Sequence, residues 1–263
     1  MAKVLDVWET TGRRVYGARK VWWELQAQGL DVARCTVERL MRALGIAGTT
    51  RGKARKTTVP GTAASRPADL LDRDFTAAAP NRRWVADITY IPVKTGFVYA
   101  AFVLDLFSRK IAGWKVSASL SASLALDALE MAVSARFAAG QSADGLVHHS
   151  DRGSQYLSIT YTTRLREAGA VASVGSKGDS YDNAAAETFN GLYKAELIRH
   201  DPPGDGWQGV RDVEAATAGY VGWYNNIRRH SACQRMSPAD FEAAWHARQR
   251  EPGEPGEPAV VPG

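Results

Sequence analysis

Trp84-Val85-Ala86-Asp87-Ile88-Thr89-Tyr90-Ile91 is the stretch on which the reading of this chain turns. Its β-branched and aromatic residues read as a central, buried strand with a carboxylate in the middle. A carboxylate taken out of water is costly unless it is paired, hydrogen-bonded or bound to a cation. No basic residue follows before Lys94, and Arg82 and Arg83 stand only at the strand's entry. A functional role for Asp87 is therefore favoured.

Working outward, Arg83–Val93, Phe97–Leu106 and Lys110–Ser117 are strand-like runs separated by the turns Lys94-Thr95-Gly96 and Ser108-Arg109, a three-stranded meander. A helix over about Ser121–Arg136 follows, then a strand Gly145–Ser150, a helix Ser158–Ala168, a strand Val171–Gly175 and a helix Asp182–Ile198. The order βββαβαβα predicts an α/β fold, a mixed sheet with helices on its faces, as a core over 81–200. A helical extension over 201–247 contains a helix Val210–Asn226 and a shorter one begun by Ser237-Pro238-Ala239-Asp240-Phe241. Residues 248–263, with Glu-Pro-Gly twice, are expected to be a disordered tail.

Two more acids stand where chemistry is often placed. Asp151 ends the strand Leu146-Val147-His148-His149-Ser150, at the carboxyl edge of the sheet, although an aspartate before Gly153 could simply open a turn. Glu187 lies 36 positions later on a helix rich in small residues, and Asn183, Asn190, Gly191 and Lys194 share its face. Two strand-borne aspartates and a helix-borne glutamate can converge on two Mg²⁺ or Mn²⁺ ions, which favour hard oxygen ligands. Such a pair activates a water or a 3′-hydroxyl and steadies the leaving oxygen of an in-line displacement at phosphorus. Gln155, Asn183 and Asn190 are candidates for orienting substrate or carboxylates. His149 shares a strand face with Asp151, but such metal sites seldom need imidazole. His148 reads as core, as do Trp223 and Tyr224, and Asp105 as the residue that fixes a turn. Arg228, Arg229 and His230 follow a helix end, where cations suit both its dipole and a phosphate.

Charge is uneven. The net of +5 divides into +7 over residues 1–60, with 12 lysines and arginines against five acids, and −2 over the rest. A basic head on a near-neutral body suits a polyanion-binding module. Within 1–47, a helix begun by Tyr16-Gly17-Ala18-Arg19-Lys20, with Val21, Trp22 and Leu25 on one side, stops at Gly29. A second carries Val37, Leu40, Met41 and Leu44, with Arg34, Arg39 and Arg42 turned away from that stripe, a helix-turn-helix pattern with cations free to meet DNA. Residues 48–80 read as a linker, basic at Arg51, Lys53, Arg55 and Lys56 and then Pro/Ala-rich. Cys35 and Cys233 lie far apart, excluding a local disulfide scaffold or zinc module, and both read as small buried residues. No apolar run approaches a membrane span, and a soluble, cytoplasmic protein drawn to the nucleoid by DNA is expected.

Val15-Tyr16-Gly17-Ala18-Arg19-Lys20-Val21, Trp84 to Tyr90, His149-Ser150-Asp151-Arg152-Gly153-Ser154-Gln155-Tyr156, Asp182 to Phe189 and Trp223-Tyr224-Asn225-Asn226 together form a specific pattern. It resembles the ribonuclease-H-like integrase superfamily and, more narrowly, the second-frame (OrfB) transposases of the insertion-sequence family numbered three. The resemblance implies that Asp87, Asp151 and Glu187 are the catalytic, metal-holding triad of a DDE transposase performing 3′-end nicking and strand transfer. It also implies that Lys194 contacts DNA near the site, that the chain works as an oligomer on the element's inverted repeats and target DNA, and that an upstream overlapping frame can supply a partner or fused segment. Such chains usually begin several tens of residues before the position of Val15, which suggests a shortened product. No histidine precedes Asp87, so the amino-terminal zinc domain of retroviral relatives is not expected. Two other readings fit the same residues: a nuclease that cuts without joining, and an idle DNA-binding regulator of transposition.

Overall fold

The structure, a computed structural model, describes residues 1–50, 76–151, 153–174 and 184–250. Arg51, Lys53, Arg55, Lys56, Asn183, most of the expected linker and the tail from 251 onward lie outside the described residues.

Five strands form one sheet: β1 (Arg83–Val93), β2 (Gly96–Asp105), β3 (Ile111–Ser117), β4 (Val147–Ser150) and β5 (Val171–Val174), in the order β3-β2-β1-β4-β5. The first three pair antiparallel, as short turns dictate, and β4 and β5 run parallel to β1 because helices carry the chain back to it. These helices are α4 (Ala122–Ala138) and α5 (Ile159–Glu167), between β3 and β4 and between β4 and β5 respectively. Alternation on β1 separates two cores. Trp84 and Ala86 pack with Leu124, Leu129 and Tyr161 under α4 and α5, whereas Val85 and Ile91 face Phe189, Tyr193 and Tyr220. The latter come from α6 (Ala184–Tyr193), which continues as a wider turn through Lys194–Ile198, and from α7 (Val210–Asn226). Gly113 lets α4 approach β3 closely, since a Cβ there would collide with the Ala128 carbonyl. The mixed α/β architecture expected from the sequence is the one found.

The amino-terminal helices pack on the α7 side of this core. A helix missed in the sequence, α1 (Ala2–Asp6), runs into a wider turn over Val7–Thr11 and buries Val4 and Val7. Then come α2 (Ala18–Ala27) and α3 (Arg34–Ala43), the turn between them closed by Trp22 Nε1–H donating to the Val32 carbonyl at 2.8 Å. Val15, Tyr16, Val21, Leu25, Val37 and Met41 join the same apolar cluster as Trp223 and Tyr224. Trp223 Nε1 donates to the Thr11 carbonyl at 2.8 Å, and Arg229 Nε donates to Glu24 at 2.7 Å. Trp23, rather than Trp22, is the more buried indole of α2.

Two expectations are corrected. Cys35 is exposed on α3, which turns that position away from Val37 and Met41; only Cys233 is buried. Arg228 and Arg229 are not left to a helix dipole or a phosphate. Arg228, 4% exposed, is forked onto Glu196 at 2.6 and 2.8 Å, and Arg229 is held by Glu24. The last helix, α8 (Pro238–Arg250), is pinned by Glu242, which meets Arg136 of α4 at 2.7 Å.

Candidate active site

Asp87 lies on the α6-facing side of β1, opposite Phe102 of β2. Register explains why it is reachable at all. β4 pairs with β1 only from Arg83 to Ala86, so from Asp87 onward no described strand lies on that flank of β1. Asp151 follows the last residue of β4, and its Oδ1 accepts from the Gly153 amide at 2.9 Å. Glu187 stands in the first turn of α6, exposed, where a carboxylate suits the helix dipole. Asn190, one turn on, is buried and donates through Nδ2 to Asp87 Oδ2 at 2.9 Å, tying α6 to β1, while the Ile88 amide donates to Asp87 Oδ1 at 2.9 Å.

These groups crowd electrostatically. Burial, and then the charge of Asp151, raises the Asp87 carboxyl to about 7, with Glu187 adding to the effect. Asp151 is raised chiefly by burial, and Glu187 by burial and by Asp151. Lys194, in the continuation of α6, is lowered by burial and partly sustained by Asp87. Its Nζ sits 4.2 Å from the Tyr90 ring centre. Among the described residues no three histidine, cysteine, aspartate or glutamate side chains stand close enough to clasp one metal ion, so the three carboxylates sense one another without forming a closed cage.

The other expected residues are placed as follows. Gln155 donates to the Leu120 carbonyl at 3.4 Å. His149 bonds through Nδ1 to Ser173 at 2.9 Å and His148 through Nε2 to Tyr161 at 3.0 Å, both inside the sheet's packing. Arg34, Arg39 and Arg42 are exposed on α3, and Arg34 pairs with Glu38 at 3.0 Å. Sequence reasoning passed over Tyr156, whose ring is buried and whose hydroxyl has no hydrogen-bond partner among the described residues; the charges of Asp87 and Asp151 both reach it. Its place five residues after Asp151 was the available signal. A cleft of about 820 Å³ behind α6, lined by Arg19, Lys20, Thr188, Phe189, Tyr224 and Arg228 among others, does not include the three acids.

Comparison with known proteins agrees with this architecture. Two models, each described as an integrase core domain, match residues 77–180 and 169–238, and one described as an HTH-like domain matches residues 1–54. A chain assigned as the transposase of insertion sequence element IS986/IS6110 in Mycobacterium tuberculosis is 52% identical over 90% of this chain and 85% of its own length. Transposase InsF of insertion sequence IS3A from Escherichia coli is 35% identical over 89% of this chain and 78% of its own. Among solved structures, the simian T-cell lymphotropic virus intasome shares the fold at a TM-score of 0.50 and 17% identity, over 71% of this chain and 62% of that one. With relatives of this closeness spanning most of both chains, the chain belongs to the IS3 family of DDE transposases, polynucleotidyl transferases built on an integrase core.

Proposed function

We propose that Asp87, Asp151 and Glu187 are the catalytic carboxylates and together hold two divalent cations, Mg²⁺ or Mn²⁺, for 3′-end nicking and strand transfer. The observation that carries this is the state of Asp87: raised to about 7 by burial and by Asp151, with hydrogen bonds but no salt bridge among the described residues. The donor chemistry fits hard cations, being all oxygen, and Asn190 Oδ1 is a buried acceptor beside it with no hydrogen-bond partner among the described residues. When bound, such a pair supplies an activated water or 3′-hydroxyl and stabilises the leaving oxygen. The chain's own part is to orient. Asn190 fixes Asp87 against α6, the Gly153 amide fixes Asp151, and Lys194 offers its ammonium to a DNA phosphate. The reading requires Glu187 to come nearer the two aspartates than it stands.

DNA is the substrate, and we further infer that exposed Arg34, Arg39 and Arg42 meet its phosphates, that residues 1–47 contribute recognition while 81–200 carry the chemistry, and that several copies assemble on DNA. A partner encoded by an upstream frame finds no support in the relatives matched.

The test is to incubate the full chain with a labelled duplex carrying the element's terminal repeat and Mg²⁺. Nicked and joined products are expected. Nicks without joins would favour a nuclease, and binding with neither would favour a regulator.

A further inference from the structure

Beyond Ala86 β1 has lost β4, and beyond Tyr99, toward the hairpin tip, β2 has lost β3; two large aromatic residues lie open there. Tyr90 is 41% exposed and Phe97 54%. Their rings meet edge to face, 5.6 Å between centres at 85°. Tyr90 pairs across the hairpin with Tyr99 and Phe97 with Pro92, so the two exposed rings are diagonal neighbours on one face. Single exposed apolar residues need no explanation, but a braced pair bearing a cation does. That cation is Lys194, whose Nζ stands 4.2 Å from the Tyr90 ring centre. Tyr90 lies three residues, about 10 Å of strand, beyond Asp87 and on the alternate face of β1, where Lys194 of the α6 side nonetheless reaches its ring.

We propose that Phe97, braced by Tyr90, is a stacking platform for an unpaired nucleobase at the end of the DNA being processed, with Lys194 taking the adjoining phosphate. A polar tip of this kind has little reason to expose aromatic rings to water. An exposed ring face beside an ammonium is the combination that holds single-stranded nucleic acid without reading its sequence. In this reading the strand end is drawn out of its duplex toward the carboxylates, and the base that loses its neighbour stacks on the ring instead. This inference rests on the placement of the active site given above.

The test uses the full chain and two duplexes, one fully paired and blunt, the other with three unpaired terminal nucleotides and 2-aminopurine at the last of them. Phe97→Ala and Tyr90→Ala should weaken binding to the frayed duplex by about 5- to 150-fold and abolish the change in 2-aminopurine fluorescence, while binding to the paired duplex changes less than about twofold. Phe97→Trp should retain both signals and Phe97→Leu should lose them, because stacking needs a π-face and general apolarity does not suffice. Equal losses on both duplexes, or full function in Phe97→Leu, would overturn the platform. So would a change in sedimentation of the DNA-free protein on Phe97→Ala, which would make the rings a contact between copies of this chain. Wild-type chain that neither nicks nor joins DNA would instead refute the active-site reading. Nicking and joining with no fluorescence change on binding would refute the platform alone.

Discussion

Asp105 and Asp87 sit on adjacent strands of one sheet: Asp105 pairs across from Trp84, and Asp87 is three residues further along. Burial raises both carboxyls, but their partners differ. Asp105, wholly buried, accepts from the Asn81, Phe107 and Ser108 amides and from Trp84 Nε1, and lies 3.3 Å from Arg136. Arg136 also forks onto Glu242, which burial alone would raise but which Arg136 and Lys110 hold at about 2. A second buried pair, Arg228 with Glu196, follows the same rule. Among the described residues, the charges that act on Asp87 are further carboxylates, with the half-buried Lys194 to oppose them. Among the described residues, arginines thus stand where acids serve the fold, and none is paired with Asp87. Uncompensated acids in an otherwise well-paired protein mark where an external cation is required.

The contrast can be broken from either side. The largest expected effect is on chemistry: Asp87→Asn, Asp151→Asn or Glu187→Gln should each lower strand joining by roughly 1,000-fold or more while leaving DNA binding within a few-fold, read from product gels and binding curves. Next comes Arg136→Met, which strands Glu242 and Asp105 without their cation. It should destabilise the fold by about 3–5 kcal/mol in urea denaturation, with joining per folded molecule unchanged.

A smaller effect is linked to pH. The Asp87 carboxyl is raised when folded, so its contribution to stability is fully present below its unfolded value and is lost as pH rises through about 7. In EDTA, wild type should therefore lose about 2 kcal/mol relative to Asp87→Asn between pH 4 and 8, allowing for water at the half-open site. Glu242 works in the opposite sense: its contribution is present above the usual glutamate range and disappears as pH falls toward about 2. Acid unfolding of Glu242→Gln should therefore begin from a lower plateau and be less steep. Smallest is Asn190→Ala, expected to cost joining about tenfold through loss of one hydrogen bond to Asp87, without altering the unfolding free energy in urea by more than about 1 kcal/mol.

Much of the sheet was legible because its signals are local. Period-two alternation and short turns gave β1, β2 and β3 to within a residue or so, and α7 has the Val210–Asn226 bounds its pattern predicts. Asp87 stood out because an unpartnered acid in an apolar strand is conspicuous in the sequence itself. The amino-terminal helix escaped because its regular part is only five residues long, too short for Val4, Leu5, Val7 and Trp8 to establish a period. What could not be read was the pairing of distant residues. Nothing near Glu24 announces Arg229, 205 positions away, and Arg136 looks like an ordinary last-turn cation until Glu242 folds onto it. The flank left open beyond Ala86 follows from the four-residue length of β4, a boundary that hydrophobic pattern does not set sharply.

The most direct measurement is anomalous diffraction from crystals of the full chain soaked in Mn²⁺. Strong anomalous peaks bounded by Asp87, Asp151 and Glu187, absent from crystals of Asp87→Asn, are the predicted result. Mn²⁺ bound elsewhere, or a site at these carboxylates that survives Asp87→Asn unchanged, would contradict the account.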